Sequence, residues 1–188
     1  MNPSGINSFD KNYMKATFTL TNAAPQFETS NSGPWQTFEN KIRKYAKTTC
    51  GSGTRGGTLY LLTGTSDIGI TIDKKSGKLV QDTSTPLPYT RKMFPRNVRL
   101  VTPRAVWTAG CCVWREPGKV FGRLWSLARA QSFAVMSNNH KVNALLHQTE
   151  MSVTELEGFL TPRRSTMVNI FPGDQNCRLP GNDVTLPP

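Results

Sequence analysis

One helical pattern followed by a series of short strand patterns is the feature that most constrains the fold of this chain. A proline suits a first helical turn, and the apolar residues after it recur on one face, so we predict a helix over residues 34–47. That face comprises Trp35, Phe38, Ile42 and Tyr45. We interpret Trp35 as a core residue that orients this helix, rather than as a platform for stacking a base.

The other apolar runs have the length and composition of short strands. We predict strands over 13–21, 58–65, 68–72, 99–102, 105–113 and 132–136, and a proline-rich loop over 86–95. The capping-box spacing of Ser152 and Glu155 predicts a short helix over 153–160. Residues 119–129 suit either a short helix or an insertion, and 171–188 suit a loop. Because helices do not separate the strands regularly, this order favours an α+β fold with an antiparallel-rich sheet.

The composition is that of a folded domain with an excess of positive charge. The 188 residues include 23 Lys and Arg against 12 Asp and Glu, for a formal net charge of +11. We predict one domain over 1–188, because this length suits a single core and the aromatic residues need an interior. No run approaches the ~18 apolar residues of a membrane span, and the N-terminal residues lack a signal-peptide pattern. The charge favours nucleic acid or anionic lipid as partners; a basic surface that only aids solubility is the alternative.

Four cysteines, Cys50, Cys111, Cys112 and Cys177, suit two disulfides more than a metal. No Cys-x-x-Cys pair exists and both histidines lie far from zinc-finger spacing, which argues against structural zinc. Three pairings are open. The adjacent Cys111 and Cys112 lie in a predicted strand and face opposite sides of it, so we expect different partners for them, or one as a buried thiol. An oxidising compartment is favoured.

Residues 21–43 combine amide, carboxylate and guanidinium side chains around the start of the predicted helix. A helix start presents free N–H groups and a partial positive charge, which suits an anion. A Mg²⁺ ion that keeps most of its waters needs only one or two protein oxygens, so Asn31 is a candidate metal ligand. The alternatives are a cap or turn role for Asn31, a loop role for Gln26, and a surface ion pair between Glu39 and Arg43.

This window resembles the core of the DNA/RNA non-specific endonucleases of the ββα-metal superfamily. The resemblance rests on the spacing of Asn22, Pro25, Gln26, Asn31, Trp35, Glu39 and Arg43, and it continues through 57–64, 101–112, 132–139 and 152–157. It covers nearly the whole chain and is most similar to the branch of endonuclease domain-containing protein 1. It implies a ββα-metal nuclease-like α+β fold with an antiparallel-rich central sheet, a metal-bearing helix and the first finger strand missing.

The resemblance also implies a role for each site residue. Asn31 would be the protein ligand of one hydrated Mg²⁺ ion, with Mn²⁺ as a substitute, and the ion would bridge a scissile phosphate oxygen. Glu39 would hold water of the ion's hydration shell, and Arg43 would bind the phosphate. Asn22 would hydrogen-bond in the site, and Gln26 would position its loop.

One element of the nuclease pattern is missing from the 188 residues. In these nucleases an Asp-Arg-Gly-His motif precedes the Asn-Pro pair that Asn2 and Pro3 resemble, and its histidine is the general base that activates water. The sequence contains no such motif, and neither His140 nor His147 matches it. Such a base contributes about 10²–10⁴-fold, so the resemblance implies an endonuclease of DNA and RNA that is inactive or nearly inactive in this form.

Two other functions are compatible with the sequence. One is a non-catalytic relic of the nuclease fold that binds nucleic acid through its phosphate backbone. The other is a disulfide-linked extracellular module that binds glycans or lipids. Members of the branch that the chain resembles are typically secreted, and the cysteines agree, so we expect a secreted protein. The preference for DNA or RNA and the oligomeric state stay open.

Overall fold

The computed structural model describes residues 24–83, 88–89, 100–120, 123–161 and 166–188. The predicted strand over 13–21 and the predicted site residue Asn22 lie outside these ranges. Within them the fold is α+β with an antiparallel main sheet, as the order of sequence patterns predicts. No helix in these ranges is long and apolar enough to span a bilayer.

The main sheet consists of four antiparallel strands. They are β1 (Thr58–Ser66), β6 (Ala105–Val120), β7 (Arg123–Asn138) and β8 (Gln148–Met151), in the order β1-β6-β7-β8. β1 agrees with the predicted strand, whereas β6 and β7 are much longer than predicted and β8 was missed. β6 and β7 pair from Ala105 opposite Asn138 to Val120 opposite Arg123. The described part of 119–129, for which the sequence suited either a short helix or an insertion, therefore lies in the strands of a hairpin.

Two short antiparallel ribbons are separate from the main sheet. One joins β2 (Gly69–Ile72) to β3 (Leu79–Asp82), and the other joins β4 (Pro88–Tyr89) to β5 (Leu100–Val101). In the turn between β2 and β3, the Asp73 carboxylate accepts hydrogen bonds from the backbone N–H groups of Lys75 and Ser76. Gly77 closes this turn with a φ of 65°, a conformation that favours glycine.

The helical segment continues past its predicted end at residue 47, and a short helical stretch precedes it across a kink. It consists of α1 (Glu28–Ser30), a wide turn at Asn31–Trp35, α2 (Gln36–Tyr45) and a second wide turn at Ala46–Cys50. The prediction that Pro34 lies in the first turn of the helix is confirmed. Gly33, directly before it, is non-helical, with a φ of −106° and a ψ of −108°, so a kink separates the shorter helical stretch upstream from the helix that continues into α2. A proline lacks the N–H that would continue the helical hydrogen bonds, so the kink at this point has a local cause.

The two faces of the main sheet are covered by different elements. On the face that we call the α2 face, the central strands pack against the apolar side of α2 and against Trp35, which is 3% exposed and therefore a core residue as predicted. On the opposite face, the α3 face, they pack against β2 and α3 (Val153–Leu160). α3 has the predicted bounds, and Ser152 and Glu155 form the predicted capping box.

Two disulfides leave the central strand β6 from adjacent residues. Cys112 is bonded to Cys50 on the α2 face, and Cys111 is bonded to Cys177 in the C-terminal loop on the α3 face. The prediction that the two cysteines have different partners is confirmed. The bridges span sequence separations of 62 and 66 residues, and chain entropy then gives each a stabilisation of about 4 kcal/mol.

The turn between the helical segment and β1 is rich in glycine. Residues 51–56 read Gly-Ser-Gly-Thr-Arg-Gly, the glycine spacing of a dinucleotide-binding turn. That motif leads from a strand into a helix, whereas this turn leads from a helix into a strand. We therefore interpret it as a connection between the helical segment and β1, and it contains one arginine, Arg55.

Candidate metal and phosphate site

α2 carries the two charged residues of the predicted site on consecutive turns. Its apolar side, formed by Phe38 and Ile42, is buried on the sheet, and this packing fixes Glu39 and Arg43 at the edge of the buried surface. An Arg43 Nη2 to Glu39 Oε2 distance of 3.8 Å makes them an i,i+4 ion pair. The Arg43 guanidinium also donates to Asn40 Oδ1 at 2.9 Å. The structure thus brings these two predicted residues together.

The Glu39 carboxyl is held in a partly desolvated position. Burial raises the pKa of Glu39, and the opposing effect of the Arg43 charge is smaller. The indole N–H of Trp35 also favours the carboxylate, although it forms no hydrogen bond of ordinary geometry. A carboxylate in this setting keeps strong affinity for a hydrogen-bond donor or a cation that reaches it.

Asn31 and Gln26 lie upstream of the kink at Gly33. Asn31 is exposed, and its side chain forms no hydrogen bond in the part of the chain that the structure describes. In the same ranges, no hydrogen bond or ion pair joins it to Glu39 or Arg43. The predicted convergence of the three side chains therefore stays a prediction. Gln26 lies in the loop before α1, where its Nε2 is buried without a partner.

Asn139, at the end of β7, holds the loop that carries Gln26. Its Oδ1 accepts from the N–H of Phe27 at 2.9 Å, and its Nδ2 donates to the carbonyl of Pro25 at 3.0 Å. The same Nδ2 donates to the carbonyl of Pro103, also at 3.0 Å. The side chain is 7% exposed, so these bonds are shielded from water. The two residues that flank Gln26 are thus fixed to the sheet by one amide.

Two neighbouring contacts extend this attachment towards Asn31. Thr29 Oγ1 donates to the carbonyl of His140 at 2.7 Å, and Ser30 Oγ donates to the carbonyl of Asn138 at 3.3 Å. Sequence reasoning missed Asn139, which is only the last residue of the stretch 132–139 that resembles the nuclease family. Its contacts with Phe27 and Pro25 span more than 100 residues of sequence, and the only sequence signal for it is an asparagine that follows an apolar run.

Unpaired buried polar atoms are concentrated on this segment. Among the described residues, four of the seven buried side-chain atoms without a partner belong to residues 26–45: Gln26 Nε2, Trp35 Nε1, Arg43 Nε and Tyr45 Oη. Such atoms are uncommon in folded proteins and point to water, an ion or a ligand that completes them. In the described ranges, no three His, Cys, Asp or Glu side chains form a metal-binding cluster. A hydrated Mg²⁺ ion on one amide oxygen needs no such cluster, so Asn31 fits it.

In the described ranges, no hydrogen bond joins either histidine to Asn31, Glu39 or Arg43. The Nδ1 of His140 lies 3.0 Å from the backbone N and 3.4 Å from the backbone O of Val142, within its own loop. His147 contacts Asn138 through its backbone N–H, which fixes it to the end of β7 and not to α2.

A comparison with known families identifies the family of this chain. The family of DNA/RNA non-specific endonucleases matches residues 1–158, which is most of the chain. The chain belongs to the DNA/RNA non-specific endonucleases. This nuclease family acts on nucleic acid and generally depends on a divalent metal ion. No curated protein and no solved structure matches the chain.

Proposed function

We propose that this family member hydrolyses phosphodiester bonds of DNA and RNA without sequence preference, using one Mg²⁺ ion at Asn31, with Mn²⁺ as a substitute. The observation that carries the proposal is the polar segment on α2 and its preceding loop: an exposed amide, a half-buried carboxylate beside a guanidinium, and several unpaired polar atoms. When bound, the ion supplies positive charge that stabilises the charge developing on the phosphate.

The chain's own residues bind the phosphate, order the water and position the loop of the site. The guanidinium of Arg43 matches the geometry of two phosphate oxygens and fixes the scissile group. The carboxylate of Glu39 accepts hydrogen bonds from water and keeps it ordered beside that group. Asn139 keeps the loop around Gln26 attached to the sheet, so the exposed amide of Asn31 keeps its place relative to α2. Asn22, outside the described ranges, is proposed to hydrogen-bond in the same site.

The 188 residues alone are proposed to be inactive or nearly so. Attack by water needs a base, and neither histidine of the sequence lies in an Asp-Arg-Gly-His motif. The test is a plasmid-nicking assay with Mg²⁺ or Mn²⁺ on two polypeptides, the 188 residues and the same chain extended by any upstream Asp-Arg-Gly-His segment that its genomic sequence encodes. We expect nicking from the extended polypeptide, and loss of that nicking in Asn31→Ala.

A metal readout separates the roles in this test. Asn31→Ala should weaken Mn²⁺ binding, measured by the Mn²⁺ resonance signal of the free ion, whereas Asn40→Ala on the same helical segment should not. Equal Mn²⁺ binding by Asn31→Ala and the parent protein would refute the proposed metal ligand.

A second candidate is a relic that binds nucleic acid without cleaving it. The net charge of +11, which attracts phosphate, and the lack of an Asp-Arg-Gly-His motif in the 188 residues favour this candidate. Binding of DNA without nicking by the extended polypeptide would identify it. The third candidate, an extracellular module for glycans or lipids, predicts strong heparin binding and no affinity for DNA.

We also propose that the protein is secreted. Two disulfides join distant parts of the chain, and such bridges persist in oxidising compartments. The test is the presence of the intact protein in the medium of expressing cells, with both bridges detected by mass spectrometry of proteolytic fragments.

A further inference from the structure

The hairpin of β6 and β7 extends well beyond the main sheet. β1 pairs with β6 only as far as Val113, and β8 pairs with β7 only from Ala134 onwards. Residues 114–120 and 123–129, which we call the arm, therefore have no neighbouring strand on either side within the described ranges. Seven residues of extended strand give the arm a length of roughly 20 Å.

Near the base of the arm, where the structure describes the side chains, several are open to solvent. Arg115, Glu116, Ala128 and Arg129 are all exposed. An isolated two-stranded ribbon is only marginally stable in water. A ribbon without a neighbouring strand thus has a stability cost, which suggests a role outside the fold.

The charge of the arm is strongly unbalanced. Residues 114–129 include four basic residues, Arg115, Lys119, Arg123 and Arg129, and one acidic residue, Glu116. Arg129 Nε donates to Glu116 Oε2 at 2.9 Å, and Arg115 donates to Ser126 Oγ at 3.0 Å. A guanidinium has five N–H donors, so each arginine keeps most of its donors available.

A further arginine is fixed at the root of the arm. The Arg55 guanidinium lies 4.6 Å from the ring centroid of Trp114 and donates to Gln131 Oε1. Trp114 and Arg129 are directly opposite each other in the ladder, so their side chains share one face of the arm. That face continues the α2 face, because Cys112, two residues before Trp114, is bonded to the end of the helical segment.

We propose that the arm, with Arg55 at its root, is a second contact surface for the phosphate backbone of nucleic acid, on the same side of the sheet as the candidate site. This inference rests on the proposed function and adds to it the place where substrate is held away from the cleaved bond. A two-stranded ribbon has the dimensions that fit a nucleic-acid groove, and guanidinium groups bind phosphate oxygens in pairs. Backbone contacts of this kind carry no sequence preference.

The test measures binding to a short labelled duplex in EDTA, where no cleavage contributes. The arm variant Arg55→Gln/Arg129→Gln removes the two arginines placed on the Trp114 face of the arm, and the matched control Lys74→Gln/Lys75→Gln removes two positive charges from the distant β2–β3 turn. If both arginines bind phosphate, the salt slope of log K falls by about 1.8, so the loss of affinity between about 50 and 200 mM salt shrinks roughly tenfold. The control should leave the slope unchanged.

A gain-of-affinity variant guards against misfolding as an explanation. Glu116→Gln removes the only acidic group of the arm and should tighten duplex binding, a result that damage to the fold does not produce. Equal slopes for the arm variant and its control would overturn the proposal. So would a loss of heparin retention without any loss of DNA affinity, which would identify a sulfated glycan as the partner. Failure of nicking with intact arm-dependent binding would refute the proposed hydrolysis and leave this surface standing.

Discussion

The α2 face and the α3 face each contain a glutamate paired with an arginine, and the two pairs differ in almost every respect. Glu157 is fully buried; Arg178 Nη2 lies 2.7 Å from its Oε2, and its Oε1 accepts from the N–H of Ile170. Glu39 is half-buried, its Arg43 partner lies at 3.8 Å, and Arg43 Nε has no partner. The first pair is complete within the protein, whereas the second leaves donors and an acceptor for something else.

The difference between the two pairs indicates which of them contributes to stability and which is available to bind a ligand. A closed pair such as Glu157 and Arg178 holds the C-terminal loop against α3, and both carboxylate oxygens of the buried glutamate have partners within the protein. An open pair such as Glu39 and Arg43 contributes little to stability, since exposed i,i+4 pairs contribute only a few tenths of a kcal/mol. Its retention beside unpaired polar atoms is therefore better explained by binding.

The largest expected effect comes from breaking the closed pair. Arg178→Ala leaves the Glu157 carboxylate buried without its counter-charge, so the free energy of unfolding should fall by about 3–5 kcal/mol. Urea unfolding of the oxidised protein measures it. Arg43→Ala is the matched control and should cost less than about 1 kcal/mol. If both variants lost the same stability, the contrast between the two pairs would be wrong.

The second effect concerns activity, for which the open pair, and not the closed pair, is expected to matter. In the extended polypeptide that contains the histidine motif, Arg43→Ala should lower kcat by about 10²–10³-fold, because a preorganised donor to the transition-state charge is lost. Plasmid nicking under single-turnover conditions provides the rate. Lys47→Ala, which removes an exposed charge near the end of the same segment, is the control. A kcat for Arg43→Ala within a few-fold of the parent value would contradict the assigned role.

A smaller effect is expected from the amide that ties the site loop to the sheet. Asn139→Ala leaves the N–H of Phe27 and the carbonyl of Pro25 unpaired, which should cost about 1–3 kcal/mol and free the loop around Gln26. Hydrogen exchange at the Phe27 amide is the direct measurement. Asn138→Ala removes side-chain bonds to Leu145 and His147 but none to this loop. Faster Phe27 exchange should therefore appear in Asn139→Ala alone.

The smallest effect is a pH dependence at Glu39. Burial raises its pKa in the folded protein, so the folded state binds this proton more tightly than the unfolded chain does. The associated stability is present below the ordinary value of 4.5 and is lost as the pH rises through the folded pKa. Glu39→Gln should therefore stabilise the protein slightly at pH 7, by less than about 1 kcal/mol, and this gain should disappear in acid.

Asp73 provides a control of opposite sign for this pH dependence. Hydrogen bonds from Ser76 and Lys75 lower its pKa, so its contribution to stability is present above the ordinary value and is lost as the pH falls. Thermal unfolding of Glu39→Gln and Asp73→Asn from pH 3 to 8 should show differences from the parent that change in opposite directions. Parallel curves would show that burial does not control Glu39.

Much of the architecture was predictable because it depends on local pattern. Patterns of a few neighbouring residues were enough to predict three elements. They are the apolar stripe from Trp35 to Tyr45, the strand pattern of β1 and the capping box at Ser152. The opposite directions of Cys111 and Cys112 followed from strand geometry alone. The family pattern around Asn31 and Glu39 likewise lies within one window.

What could not be predicted depends on distant partners. The length of β6 and β7 reflects pairing between residues up to 33 apart, and the turn residues between them give no strong hairpin pattern. The helical stretch that precedes the kink at Gly33 was missed, because its residues 28–32 contain no apolar stripe. Asn139 acts over more than a hundred residues, so its role is visible only in three dimensions.

The two bridges of the adjacent cysteines depend on which way the central strand β6 faces, because Cys112 is bonded on one side of it and Cys111 on the other. In either alternative pairing that joins Cys50 to Cys111 or to Cys177, at least one sulfur would have to cross from its own side of β6 to the other. Scrambled isomers therefore require the central strand to turn over or unpair. A peptide map of the bridges, taken after refolding from the reduced chain, would reveal whether both layers had assembled on the proper sides before any enzymatic assay is attempted.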